Sequence, residues 1–337
     1  MSLGSTNRKI KAELQTDTQT PIDIIKQIES MIPVEKEHSM TSKQKRRLRI
    51  LNATLFLFHT CFTAVTFIVG KIDLKVDIFR LNVKPSRNIS SIPDYRALGI
   101  EVDDNLTSNF LSVEAEPNTD VYLYFTWLTA SFFILSAFFH LGNATLWFKS
   151  YIHFLEHQMS PYRWIEYTFS ASIMILAVAY GAGVLVDIDL FMLFILISTT
   201  MFFGHLTESI NRKKLTEDEW VLPLWNRLVP HLLGYVPQLS AWIVILYVFI
   251  SNSDGAPPFV LPLILTELVL FFSFGFVQLV VLCRKPSKYV QGEVAYQILS
   301  LVSKGSLGVI LFTNVLFLSN WQCLVEEVKD KLPVDYC

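Results

Sequence analysis

Apolar residues gather into seven long runs along the chain: Ile50–Val69, Val121–Phe148, Trp164–Val186, Asp189–Leu206, His231–Ile250, Pro257–Cys283 and Val294–Ser319. A helix needs about 20 mostly apolar residues to cross a bilayer core, so each run predicts one span. The pattern therefore predicts an all-α membrane protein built as a seven-transmembrane-helix bundle. Residues 1–49 are polar and end in the basic cluster Lys43, Lys45, Arg46, Arg47 and Arg49. Within them, an amphipathic piece at Ile22–Ile32 predicts a surface helix that Pro33 stops. One long connection, 70–120, follows the first span. Its segment Lys75–Val83 partly alternates apolar and polar residues, and Lys84-Pro85-Ser86 signals a turn, which predicts a short β hairpin. The chain thus divides into a polar extension (1–48), a seven-helix domain (49–321) and a tail (322–337).

Composition narrows the class. Of 337 residues, 52% are hydrophobic and 17% charged, with a mean hydropathy of +0.40. A soluble domain carries about 25% charged residues, so there are too few charges to cover an aqueous surface. Disordered, collagen-like and coiled-coil chains are excluded. The net charge of −2 gives no broad basic field, so no nucleic-acid partner is expected. Four cysteines without a CxxC pair point to neither a disulfide framework nor zinc.

Lysine and arginine in the short loops set the orientation. One side holds the amino-terminal cluster, Lys149 and Arg163, then Arg212, Lys213 and Lys214, then Arg284, Lys285 and Lys288, whereas Val184–Ile188 and Ser251–Ala256 on the other contain neither residue. The amino terminus is expected inside and the carboxyl terminus outside. On the outer side fall the sequons at Asn88 and Asn105. Cys323 and Cys337 are there too, either paired or as two free thiols.

Ionisable groups in hydrocarbon cost several kcal/mol unless paired or hydrated, so each is a functional candidate. The seventh span holds Lys304, the third Glu166, the sixth Glu267, and Glu208 sits near the inner end of the fourth. His59 and His140 lie in the first two spans. At 1.5 Å per residue, Lys304 lies roughly 22 Å and Glu166 roughly 27 Å from the outer boundary. A lysine side chain covers that difference. Two readings remain open: a structural ion pair, or a modified lysine whose positive charge needs a buried counter-ion.

Tyr162-Arg163-Trp164-Ile165-Glu166-Tyr167, followed by Ser170 and Ser172 and then by Lys304 in the seventh span, resembles the heliorhodopsins. The resemblance covers the seven spans, the inside amino terminus and the long first outer loop. That orientation is the reverse of G-protein-coupled receptors and ordinary microbial rhodopsins. The family implies all-trans retinal held as a protonated Schiff base on Lys304, with Glu166 as counter-ion. Ser300 and Ser170, each one turn from a member of the pair, are candidates to hydrogen-bond it. His59 and His140 would line a polar cavity beside it, the alternative for His59 being a histidine bonded to helix carbonyls. Met174, Trp242 and the aromatic runs Trp242–Phe249 and Phe271–Phe276 are candidates to clamp the polyene, the alternative being ordinary packing.

Pumping rhodopsins carry a second carboxylate one turn before the lysine and, in outward proton pumps, another eleven residues past the counter-ion; Ser300 and Ala177 stand there. The expectation is a light-sensing photoreceptor, not an enzyme, that performs no active pumping. Arg163 keeps the arginine-before-counter-ion spacing but equally suits a snorkelling anchor. Glu208, Glu267 and Glu293 either mark a proton path, which makes a light-gated passive proton channel the alternative, or, for Glu208 and Glu293, are interfacial carboxylates. A remote alternative is an intramembrane zinc hydrolase, for which His153 and His157 have helical ligand spacing, but the seventh span has no histidine to complete a site. The expected partners are retinal, the lipid bilayer, a second copy in a homodimer and an unknown downstream signalling protein. The expected location is the plasma membrane.

Overall fold

The computed structural model describes residues 40–73, 75–86, 110–120, 122–212 and 220–316. The expected surface helix at Ile22–Ile32, both sequons, Cys323 and Cys337 lie outside the described residues.

Among the described residues, seven helices are long and apolar enough to cross a membrane. They are α1 (Ser42–Val69), α2 (Phe125–Ala144), α4 (Pro161–Gly181), α5 (Asp187–Asn211), α6 (Leu224–Ser251), α7 (Val260–Cys283) and α8 (Tyr289–Leu311), the last running on through a π-helical turn to Leu316. A short helix, α3 (Phe148–Glu156), joins α2 to α4. Consecutive spans pack side by side, and α8 closes the ring against α1 and α2.

The helix ends shift from the apolar runs for local reasons. α1 begins at Ser42, eight residues before the apolar run, because Thr41 and Gln44 form a reciprocal capping box. The basic cluster is therefore helical. α4 begins with Pro161, whose missing N–H and fixed φ suit a first turn. α6 starts at Leu224 and stays helical through Pro230 and Pro237.

The long connection forms two small antiparallel sheets. β1 (Lys75–Val76) pairs with β4 (Leu123–Tyr124), and β2 (Phe79–Ser86) pairs with β3 (Phe110–Pro117). This corrects the turn expected at Lys84-Pro85-Ser86: the strand continues through it, with Pro85 opposite Leu111. A two-stranded sheet consists only of edges, where a proline that faces outward costs no ladder bond. The Phe79 amide donates to the Leu185 carbonyl at 2.8 Å and Asn118 donates to Asp187 at 2.8 Å, which pins this sheet to the start of α5.

Apolar side chains such as Leu57, Phe138, Phe202, Ile243 and Val269 face outward, while many polar ones, among them Asn52, His59, Ser136, Glu166, Glu267 and Lys304, are buried. An apolar exterior around a partly polar interior is what a helix bundle adopts in lipid, where polar groups must find partners inside.

Candidate functional site in the bundle interior

Lys304 stands on α8 and Glu166 on α4, each only 3% exposed. The lysine Nζ donates to Glu166 Oε1 at 3.1 Å and to Ser300 Oγ at 2.8 Å. Ser300 is four residues before Lys304, one turn along the same helix face. Ser136 of α2 completes the arrangement by donating to Glu166 Oε1 at 2.7 Å. Lys304 also lies over the Tyr167 ring, 5.1 Å from its centre.

A pair of histidines borders this site. The rings of His59 and His140 stack at 5.4 Å, inclined by only 4°. Asn52 Nδ2 donates to the Leu48 carbonyl, which leaves Asn52 Oδ1 as acceptor for His140 Nδ1 at 2.8 Å. His140 Nδ1 therefore carries the hydrogen, and Nε2 of the neutral ring presents a bare lone pair. That Nε2 and both nitrogens of His59 have no hydrogen-bond partner among the described residues. Helix carbonyls do not hold His59, contrary to the alternative reading of that residue.

Ser170 is buried, but its hydroxyl bonds neither Glu166 nor Lys304. Its place beside the carboxylate is taken by Ser136, which sequence reasoning missed. The available signal was its position one turn before His140 on α2. Glu267 of α7 is fully buried, and its two oxygens accept from Ser303 at 3.0 Å and Ser306 at 3.1 Å, the serines that flank Lys304. Its carboxyl thus touches the lysine's helix without an ion pair among the described residues.

Lys304 and Ser300 also line a cavity with about 340 Å³ of open space, together with Tyr167, Ala171, Met174, Met201, Phe271 and Phe274. It shares Tyr167, Met201, Phe271 and Phe274 with a second cavity of about 500 Å³ that reaches α6. Met174 lines the first cavity. Trp242 lines neither and stands behind Phe271, with ring centres 5.6 Å apart.

A second polar cluster fills the basic end of the bundle. Arg163 lies between Glu208 of α5 and Glu293 of α8, all three nearly inaccessible. This overturns the snorkelling reading of Arg163 and the interfacial reading of both carboxylates. Glu208 Oε2 also accepts from Trp164 Nε1 at 2.7 Å and from the Ser160 amide at 3.1 Å. Glu293 Oε1 accepts from Tyr151 at 3.0 Å. Burial, with the Glu293 carboxylate adding to it, pushes the Tyr151 phenol above its usual range and keeps it a donor. The indole reaches Glu208 by crossing Gly204, where a β-carbon would overlap the ring. His153 and His157 face each other at 4.4 Å on and just past α3. Among the described residues no group of three potential metal ligands forms.

The heliorhodopsin family matches residues 48–316. The chain belongs to that family. It is accordingly a retinal-binding, light-responsive protein that spans the membrane several times. No curated protein matches the sequence. Among solved structures, the light-driven proton pump LR (Mac) from Leptosphaeria maculans is similar at 11% identity and a TM-score of 0.49, over 82% of this chain and 95% of that one. Exiguobacterium sibiricum rhodopsin is similar at 16% identity and a TM-score of 0.49, over 82% and 98%. Cyanorhodopsin N4075R from Tolypothrix sp. NIES-4075 is similar at 11% identity and a TM-score of 0.48, over 82% and 96%. The residues present fit retinal: a primary amine lines an aromatic cavity and contacts a buried carboxylate.

Proposed function

We propose that the chain is a light-sensing photoreceptor in which Lys304 carries all-trans retinal and Glu166 is the counter-ion. The observation that carries this reading is the Lys304–Glu166 contact of 3.1 Å beside the aromatic cavity. Bound retinal supplies absorption of visible light and isomerisation through its Schiff base to Lys304. A lysine amine desolvated in an apolar wall is a nucleophile toward an aldehyde. Glu166 compensates the positive charge at Nζ, Ser136 fixes the carboxylate, and Ser300 orients the nitrogen. After illumination, the proton at Lys304 Nζ passes to Glu166 or to the bare Nε2 of His140, and the polar end of the bundle reports the change. Tyr167, Met174 and Phe271 hold the polyene and exclude water.

No active pumping is part of this reading, because Ser300 and Ala177 replace the two acids that a vectorial relay uses. The basic end, which carries Arg47, Arg49 and Arg284, is the inner one by the distribution of lysine and arginine. A passive proton channel is the second reading. It is favoured by four buried carboxyl groups on four spans, Glu166, Glu208, Glu267 and Glu293. At the basic end one guanidinium faces two carboxylates, so that cluster has room for a proton.

The test is the spectrum of the purified protein with and without all-trans retinal, followed by voltage clamp in retinal-supplied cells. A visible band that needs retinal and no photocurrent at any voltage supports the photoreceptor. A current that reverses near the proton equilibrium potential and falls in Glu267→Gln supports the channel. A steady current of one sign against the gradient overturns both.

A further inference from the structure

The second cavity ends in polar groups that a hydrocarbon ring would not need. His231, Gly234 and Gln238 line it from one stripe of α6, at positions i, i+3 and i+7. Gln278 of α7 donates through Nε2 to the Gly204 carbonyl at 2.9 Å, so its Oε1 accepts from His231 Nδ1 at 2.9 Å. His231 Nε2, in the neutral ring, is then an acceptor without a protein donor among the described residues. Gln238 is 4% exposed, and its Oε1 has no hydrogen-bond partner. A buried amide in that state carries its full desolvation penalty unless something in the cavity bonds it.

We infer that this end of the cavity recognises a hydroxyl group on the ring of the chromophore, so that the protein prefers a ring-hydroxylated retinal to unsubstituted retinal. The inference rests on the reading that Lys304 carries retinal and adds to it the identity of the far end. The first cavity begins at Lys304 and shares four walls with the second, so a chain anchored at Nζ that fills both brings its ring to α6. A hydroxyl both donates and accepts. It satisfies the Gln238 amide whichever way that group is turned, donating to Oε1 in the orientation found here. An unsubstituted ring shuts water away from Gln238 and replaces it with nothing. A site built around a hydroxyl discriminates against the analogue that lacks it far more strongly than an apolar pocket discriminates by size.

The full chain, purified without chromophore, is titrated with all-trans retinal and with all-trans 3-hydroxyretinal, and growth of the visible band is followed. The expected half-saturation is at least about tenfold lower for the hydroxylated aldehyde. Gln238→Leu should remove most of that preference while still forming a band with unsubstituted retinal, which shows that the variant is folded. Gln238→Met serves in the same way if the leucine variant gives no protein. Equal half-saturation in the wild type means that water satisfies Gln238, and overturns the inference. So does a preference that survives in the variant. A band with unsubstituted retinal alone overturns it while leaving the Lys304 reading intact. No band with either aldehyde overturns both.

Discussion

The two ion-pair clusters in the bundle interior each set buried carboxylate against one cation, but they differ in which atoms are left without partners. At the basic end, each of the four oxygens of Glu208 and Glu293 has a donor, and the atoms left without a partner among the described residues, such as Arg163 Nε and Gln297 Oε1, belong to the groups around them. Around Lys304, both nitrogens of His59, Nε2 of His140 and the Ser170 hydroxyl, which stand next to the ion pair itself, have no partner among the described residues. A network whose carboxylate oxygens are all bonded holds its helices in one arrangement. An incompletely bonded one costs stability and leaves groups free to take up a proton or rebond when charge moves. The contrast separates scaffold from working site without reference to which cluster is more buried.

The largest effect should come from removing the amine itself. Lys304→Ala should abolish the visible band in protein supplied with retinal. Because it strands the Glu166 carboxylate, Lys304→Ala with Glu166→Gln is the control that should restore stability but not colour. A normal band in Lys304→Ala would break the assignment. Arg163→Met should act the other way, leaving two buried carboxylates uncompensated at a cost of about 3–5 kcal/mol. Thermal unfolding should fall by roughly 10 °C, while the protein that survives keeps its band.

Smaller changes sharpen the comparison. In Glu166→Gln, loss of the compensating charge should lower the pH at which the visible band titrates by about one to three units. The band should also move to the red wherever the chromophore stays protonated. An unchanged titration would mean that another group compensates Lys304. Gly204→Ala should push the Trp164 ring off its path to Glu208 and cost about 1–3 kcal/mol from overpacking, read as a lower unfolding temperature with little colour change. Ser170→Ala should be close to neutral, because it removes a buried hydroxyl that bonds nothing. Ser136→Ala, which takes a donor from Glu166, should shift the band. Equal effects of the two serine substitutions would erase the distinction between partner and bystander.

Each span was legible because a bilayer core imposes a length and a polarity on consecutive residues, and both are local properties. The isolation of Lys304 in α8 and Glu166 in α4 was legible for the same reason, since a charge in an apolar run stands out. Their depths followed from a fixed rise per residue. Partners were not legible where several candidates shared a depth. Ser170 sits one turn from Glu166 but points elsewhere, and Ser136, thirty positions earlier, makes the bond. Arg163 looked like a membrane-edge residue because sequence position measures distance along one helix only. The acids that bury it come from α5 and α8, 45 and 130 positions away.

The sequence by itself thus determined how many helices cross the membrane, which of their residues are out of place in lipid and which family the third-span motif resembles. Those facts depend on hydrophobic period, run length and residue identity. Only the tertiary structure decided that Arg163 pairs with Glu208 and Glu293, that Glu267 rests on the serines beside Lys304, and that Gln238 lines a cavity sharing walls with the one at the lysine. Each depends on the rotation of one helix about its axis relative to its neighbours. Packing of every side chain in the ring sets that angle, and no single segment of sequence contains it.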